Sequence, residues 1–344
     1  MSILGCCPNC FGDGYLKDEV FPQYATGHGV CTYCGATDQA LIDPIFFRDS
    51  FEALLGIYSQ CEDGVRLIEH LRHDWDLFPQ ENISDQGAEE LLARIFDDVS
   101  ISFMRFRLND HPTTNSLDSW QVFKEELCHH NRFFLKSDLN LDRIKILLGF
   151  LEYKPSIIPT RLFRARIQES DKPFPLSQMG PPPARLASHG RANTPGIPYL
   201  YMASDPKTAI SELRPYTNDI TTVAALSLSP GLMFVDLRFP RQTASPFRFG
   251  DEDQLMLLQQ DLTFLDQLGT ELTRPVNPRS AHIEYLPSQY LCEFIKHCGY
   301  DGVIYRSSVA AGINYALFYP GKASLTEIAT YSVDKVSVDI SEAS

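Results

Sequence analysis

The sequence predicts an α+β protein in successive parts: a small cysteine-rich module, a helical region, and a C-terminal region of short strands and helices. Three observations predict it. Five of the nine cysteines lie before residue 35. Apolar residues then recur at helical spacing to about residue 153. From about residue 160 the texture changes to short β-rich runs broken by Gly and Pro turns and by short amphipathic segments. The expected boundaries are 1–41 for the cysteine module, 42–155 for the helical domain, 156–330 for the mixed domain and 331–344 for a polar tail.

A chain of 344 residues has room for more than one domain. Hydrophobic residues make up 44% and charged residues 22%, as in ordinary folded proteins. Lys and Arg total 30 against 44 Asp and Glu, a formal charge of -14. That balance argues against non-specific binding to a nucleic-acid backbone. It leaves room for a local basic pocket around a small phosphate-bearing molecule. No apolar run reaches membrane-span length, so no membrane partner is expected. Met1-Ser2-Ile3-Leu4-Gly5-Cys6 superficially resembles a lipidation box but lacks a basic and an apolar region, which predicts a cytoplasmic protein.

In that compartment clustered cysteines point to metal ahead of disulfides. The pairs Cys7-Pro-Asn-Cys10 and Cys31-Thr-Tyr-Cys34-Gly35 supply four ligands for a closed tetrahedral zinc site. With every position filled by protein, such a site is structural, and metal binding supplies folding energy to a segment too short for its own core. Cys6 and His28 are alternative ligands, and free cytosolic thiols are the plainer alternative.

Helical spacing appears at Phe51-Glu-Ala-Leu-Leu, Val65-Arg-Leu-Ile-Glu-His-Leu, Ala88 to Phe96 and Ile144-Lys-Ile-Leu-Leu. Arg66 and His73 have the spacing of an RNA-cleaving pair, with His in proton transfer and Arg on phosphate. A solvated helix face explains them more simply. Adjacent His129 and His130 point to different helix faces, which argues against a shared metal and for helix packing or an interface.

In the C-terminal region, Val223-Ala-Ala-Leu-Ser-Leu, Leu232 to Leu237, Val303-Ile-Tyr and Tyr315-Ala-Leu-Phe read as strands. Asp251 to Gly269 and Pro287 to Cys298 read as helices, the second stopped by Gly299. Lys172 to Pro183 is proline-rich and reads as a mobile loop.

One stretch concentrates chemistry. Pro198-Tyr-Leu-Tyr-Met-Ala203 alternates as a strand, with Tyr199 and Tyr201 on one face. Asp205 caps a helix that Pro206 opens and Pro215 closes. Glu212 sits at the edge of that helix's apolar arc, which predicts a carboxylate near the sheet and out of open water. An ionised Glu there would stabilise a developing positive charge. Arg191, in Gly190-Arg-Ala-Asn193, can grip phosphate oxygens with parallel bonds. Arg164 offers a second phosphate clamp, and Ser307 could orient the carboxylate or a ribose hydroxyl. Taken singly, the same residues read as a structural ion pair, a core tyrosine and a turn serine.

Together they form a pattern. Leu162-Phe-Arg-Ala-Arg166, Gly190-Arg-Ala-Asn-x-x-Gly196, Tyr201, Ala209-x-x-Glu212, Gly299 to Ser307, Gly312-Ile-Asn314 and Leu317-Phe318 follow one another in the order of the RES domain. Residues from about 160 to 323 resemble that family, which is named for its Arg, Glu and Ser. The upstream helices and cysteine pairs resemble the HEPN-type N-terminal regions sometimes fused to RES domains.

The resemblance implies an ADP-ribosyltransferase-like fold with NAD as substrate. It implies either a toxin that depletes NAD by phosphorolysis or hydrolysis, often held by a separate antitoxin, or an enzyme that transfers ADP-ribose to protein. Carried over by position, Arg191 and Arg164 hold the NAD diphosphate, with Arg166 in the same motif. Tyr201 stacks near the nicotinamide, Glu212 faces the nicotinamide ribose and Ser307 assists it. Asn193 and Asn314 fall among the NAD-binding positions. Two rival readings remain: an RNase or RNA-binding regulator built on the helical part and the zinc module, and a catalytically silent protein whose zinc-helical half recruits a partner. The N-terminal half also offers a regulatory or homodimer interface.

Overall fold

The computed structural model describes residues 5–109, 116–153, 159–248, 251–277 and 279–337. The chain divides into two compact units, Met1–Leu117 with Phe239–Asp266, and Asp118–Arg238 with Gln267–Ser344. Its strands are β1 (Gly27–Gly29), β2 (Gln39–Leu41), β3 (Tyr58–Arg66), β4 (Arg105–Leu108), β5 (Glu152–Tyr153), β6 (Leu162–Ile167), β7 (Leu200–Ala203), β8 (Ile220–Leu228), β9 (Phe234–Asp236), β10 (Gly302–Arg306), β11 (Ile313–Leu317) and β12 (Ala323–Ser332). Its α-helices are α1 (Phe21–Tyr24), α2 (Arg48–Leu55), α3 (Leu67–Trp75), α4 (Asp85–Phe96), α5 (Ser116–His129), α6 (Leu141–Phe150), α7 (Pro206–Ser211), α8 (Pro240–Thr243), α9 (Glu252–Thr273), α10 (Ala281–Glu284) and α11 (Leu286–His297).

In the first unit the cysteine segment does not stand apart. Phe11 is fully buried, with ring centroids 5.4 Å from Phe47, 5.6 Å from Phe78 and 5.9 Å from Phe21. Its fold therefore rests on a shared aromatic core as well as on its cysteines. The region read as helical also contains a two-stranded antiparallel ribbon of β3 and β4. Val65, expected in a helix, lies in β3, and α3 begins only at Leu67 with Arg66 as its cap. The short apolar run from Val65 to Leu71 fits either period at its start, and pairing with Phe106 decides for strand.

The second unit is built on an eight-stranded sheet in the order β12-β8-β6-β7-β11-β10-β9-β5. All pairings are antiparallel except β9 with β10. One face buries Leu162, Leu200, Met202, Leu226, Phe234, Ile304, Tyr315 and Leu317. On the other, Ala165, Ala203 and Val223 pack against Ala209 of α7. Small side chains there let α7 lie close to the sheet. Since successive residues of a strand face opposite ways, the Leu200/Met202 face and the Tyr201/Ala203 face separate as the alternation requires.

Two loop expectations change. The Lys172–Pro183 segment is tied down: Met179 is fully buried, Phe174 N–H donates to Thr222 Oγ1 at 3.0 Å, and Arg166 donates to Gln178 O at 2.8 Å while lying over the Phe174 ring. The expected polar tail begins inside β12, and Val333 exchanges backbone hydrogen bonds with Asn218 and Asp219. Residues 338–344 of that tail lie outside the described residues. Among the described residues no helix is long and apolar enough to cross a membrane.

Candidate active site

The turn joining β10 to β11 organises the site. Gly312 lies in it, and a Cβ there would fall 2.1 Å from Thr208 Oγ1 and 2.5 Å from Asp205 Oδ2. Only glycine lets the first turn of α7 come so near. That turn is capped as its sequence predicts: Asp205 Oδ1 accepts from Thr208 N at 2.8 Å, with Pro206 at the first helical position. Ser204 exchanges hydrogen bonds with the backbone of Ile313, through its N–H to Ile313 O at 2.9 Å and its Oγ from Ile313 N at 3.0 Å.

α7 ends at Ser211, so Glu212 takes the cap position beyond the buried arc. The residue is exposed, contrary to the expectation of a carboxylate kept from open water. Its Oε1 is nevertheless fixed: Ser307 Oγ donates to it at 2.6 Å and Asn314 Nδ2 at 2.6 Å. Ser307 has no alternative donor direction. Its hydroxyl already accepts from Val309 N at 3.2 Å and Ala310 N at 3.1 Å. A hydroxyl has two lone pairs and one hydrogen, so the hydrogen goes to Glu212. Oε2 makes no hydrogen bond within the described residues.

Ser308 reaches the other way. Its Oγ accepts from Arg191 Nη2 at 2.9 Å. Arg191 Nη1 donates to two carbonyls at the C-terminal end of α9, Leu272 at 3.2 Å and Arg274 at 2.7 Å. Tyr285 lies under the guanidinium, 5.3 Å from its ring centroid. Three of the five N–H bonds are thus used by protein; the Nε–H and one Nη2–H are not. Adjacent serines therefore bind the acid and the guanidinium to one turn.

The loop bearing Arg191 is held as firmly. Tyr201 donates its hydroxyl hydrogen to Asn193 Oδ1 at 2.7 Å and accepts from Ala192 N at 3.0 Å. Both side-chain N–H bonds of Asn193 go to backbone, Ser188 O and Thr194 O. Asn193 is buried, with all its polar atoms spent on the loop. A Cβ on Gly190 would lie 2.5 Å from both Tyr201 OH and Asn193 Oδ1, so glycine is required at that approach. From α11, Ser288 donates to Arg191 O and Gln289 to Gly190 O. Burial pushes the Tyr201 phenol well above its ordinary pKa, so it stays neutral.

Arg164 connects to this loop's strand through Tyr201 O, 3.1 Å from Nη1. Its Nε is buried with no hydrogen-bond partner. Burial, with Arg166 adding to it, pulls the guanidinium down to about 10. A cation held this way is incomplete without an anion.

The sequence-derived set of Arg164, Arg191, Asn193, Tyr201, Glu212, Ser307 and Asn314 thus lies in one unit, linked by hydrogen bonds and adjacent residues. The RES-domain family model matches residues 161–338, more than half of the chain. The chain belongs to the RES-domain family. Among curated proteins none matches it. A solved chain from the MbcT–MbcA toxin–antitoxin complex of M. tuberculosis is similar at 12% identity, over 55% of this chain and 92% of that one, with a TM-score of 0.33. A likeness that loose carries no weight for the chemistry.

Sequence reasoning missed three residues that this arrangement involves. Ser308 and Tyr305 stood in the motif without a role. Tyr305 is buried, within electrostatic reach of Tyr201, Glu212 and Arg191. Tyr285 gave no signal, lying 94 residues from Arg191, which it underlies.

The first unit holds a second cluster. The Sγ atoms of Cys7, Cys10, Cys31 and Cys34 all lie within 4.8 Å of one another, with Cys7–Cys34 and Cys10–Cys31 at 3.4 Å. Four thiolates at these separations could hold one metal ion tetrahedrally. The alternative ligands do not join them. Cys6 Sγ turns to Ile42 O at 3.4 Å, and His28 belongs to no metal-ligating cluster among the described residues.

Arg66 and His73 are spent separately. Arg66 pairs with Glu69 and Glu89, whereas His73 bonds Asp74 at 2.8 Å and has an exposed side chain.

Proposed function

We propose that this chain cleaves NAD at the nicotinamide–ribose bond and passes ADP-ribose to phosphate or water. The observation that carries the reading is Glu212, its Oε1 held by two donors and its Oε2 left for a ligand. The cationic groups fit a dinucleotide. Arg191 has two N–H bonds unused by protein, which suit diphosphate oxygens. Arg164 joins it as the second clamp that the family pattern implies. The Tyr201 ring serves the nicotinamide.

Chemically, nicotinamide is a cationic leaving group and needs no general acid. The bond electrons pass to the ring nitrogen and neutralise it. Positive charge spreads over the ribose carbon and ring oxygen, as in glycoside cleavage. Ionised Glu212 stabilises that charge, more strongly in the transition state than in the ground state. An oxygen lone pair of phosphate or water then forms the new bond to the ribose carbon, water releasing a proton to solvent. A protein side chain at the same position would make the enzyme a protein ADP-ribosyltransferase.

Family membership supports a toxin or defence effector restrained by a protein antitoxin. The four-cysteine cluster is assigned to structural zinc. The HEPN-type RNase reading gains no support, because Arg66 and His73 serve different partners. A Glu212→Gln variant tests the reading: it should fold normally and lose nicotinamide release by at least about a hundredfold. Turnover equal to wild type would remove Glu212 from the chemistry.

A further inference from the structure

Asn314 matches a position expected to bind NAD, yet its amide points to the acid. Asn314 is buried in β11, opposite Ala203 of β7 and Tyr305 of β10. Its Nδ2 sits 2.6 Å from Glu212 Oε1, the oxygen Ser307 also bonds. The two donors come from different supports. Ser307 belongs to the β10–β11 turn, whereas Asn314 is in the sheet itself, with β-strand neighbours on both sides. Two donors arriving on Oε1 from different supports restrict the carboxylate more than either does alone.

We infer that Asn314 is a positioning residue for Glu212 and not a ligand of NAD. The amide commits Oε1 to the protein, fixes the plane of the carboxylate and leaves Oε2 as the oxygen that meets the ribose. The inference rests on NAD cleavage at this site, and the experiment separates the two ideas.

Asn314→Asp keeps the size of the side chain but replaces the donor with a second acid against Oε1. Asn314→Ser keeps a hydroxyl donor that is too short to reach as far. Steady-state NAD cleavage by wild type and both variants should show turnover reduced about tenfold or more for Ser, in line with a lost charged hydrogen bond. The Asp variant should be reduced further, and both KM values for NAD should stay within about twofold of wild type. A space-filling role predicts the reverse order, because Asp fits the cavity and Ser leaves one. Thermal melting of each variant separates lost activity from lost fold. Wild-type turnover in the Asp variant, or a loss confined to KM, overturns the assignment. If wild type itself leaves NAD intact, the cleavage reading fails and the inference goes with it.

Discussion

Ser307 gives its one hydroxyl hydrogen to Oε1 of Glu212 at 2.6 Å, because Val309 and Ala310 donate to both of its lone pairs. Removing that hydroxyl takes a hydrogen bond from a charged acceptor, a loss of about 1.5–3 kcal/mol. Ser307→Ala should therefore lower turnover by roughly ten- to a hundredfold. Its KM for NAD should barely move, since Ser307 holds the acid and not the diphosphate clamp. A steady-state titration of NAD checks both numbers.

The neighbouring Ser308 predicts the opposite pattern. It holds Arg191 Nη2, leaving Nη1 to the Leu272 and Arg274 carbonyls. Ser308→Ala loosens the guanidinium without touching Glu212. KM for NAD should rise by roughly ten- to a hundredfold, the value of one hydrogen bond to a charged group, with turnover close to wild type. Equal losses in adjacent serine variants would contradict their separate roles.

Arg164 predicts a conflict between stability and binding. Burial lowers its pKa to about 10, so folding is penalised while the side chain is charged. The penalty is complete below about pH 10 and lifts as pH rises from there towards the ordinary guanidinium range. Arg164→Met fills similar space without the charge. Near neutral pH it should melt at a higher temperature than wild type in the absence of NAD. It should also lose the melting shift that NAD gives wild type. Differential scanning fluorimetry with and without NAD reads both effects.

The α7 cap carries a pH signature of its own. Burial pushes the Asp205 carboxyl up, but the Thr208 N–H, the Thr208 hydroxyl and the Ser204 hydroxyl outweigh it and hold the pKa below its ordinary value. The cap's contribution is therefore present above the unfolded pKa of about 3.9 and is lost as pH falls through the lower folded value. Asp205→Ala should cost about 1 kcal/mol near neutral pH, and denaturant melts should show that deficit shrinking in acid.

Legibility in the sequence followed the range of the physics. The α7 start was readable because Asp205, Pro206 and Thr208 are local to it. The alternation of Leu200 and Met202 against Tyr201 was readable for the same reason. By contrast, the exposure of Glu212 follows from α7 stopping at Ser211, short of the Pro215 expected to close it, and helix ends are the least legible part of a sequence pattern. The three bonds on Arg191 join it to residues 81, 83 and 117 positions away, a relation no local period encodes. Likewise, β3 appeared where helical spacing was expected, since Val65 pairs with Phe106, 41 residues on.

The cysteine cluster should bind zinc in a ratio near one per chain. Cys31→Ser removes a buried ligand whose Sγ lies 3.4 Å from Cys10 Sγ. It should purify without zinc and melt at a lower temperature, as wild type should after chelation. Elemental analysis with a thermal melt checks this, and an unchanged melt after complete zinc loss would contradict a structural role.

The central claim, that Glu212 and the two arginines act together on NAD, is tested most directly by product mass. Purified wild-type protein is incubated with NAD, with and without inorganic phosphate, and the products are weighed by mass spectrometry. The account predicts free nicotinamide together with ADP-ribose or its phosphate adduct, and neither product from Glu212→Gln. Intact NAD under both conditions, and with protein acceptors added, would contradict it.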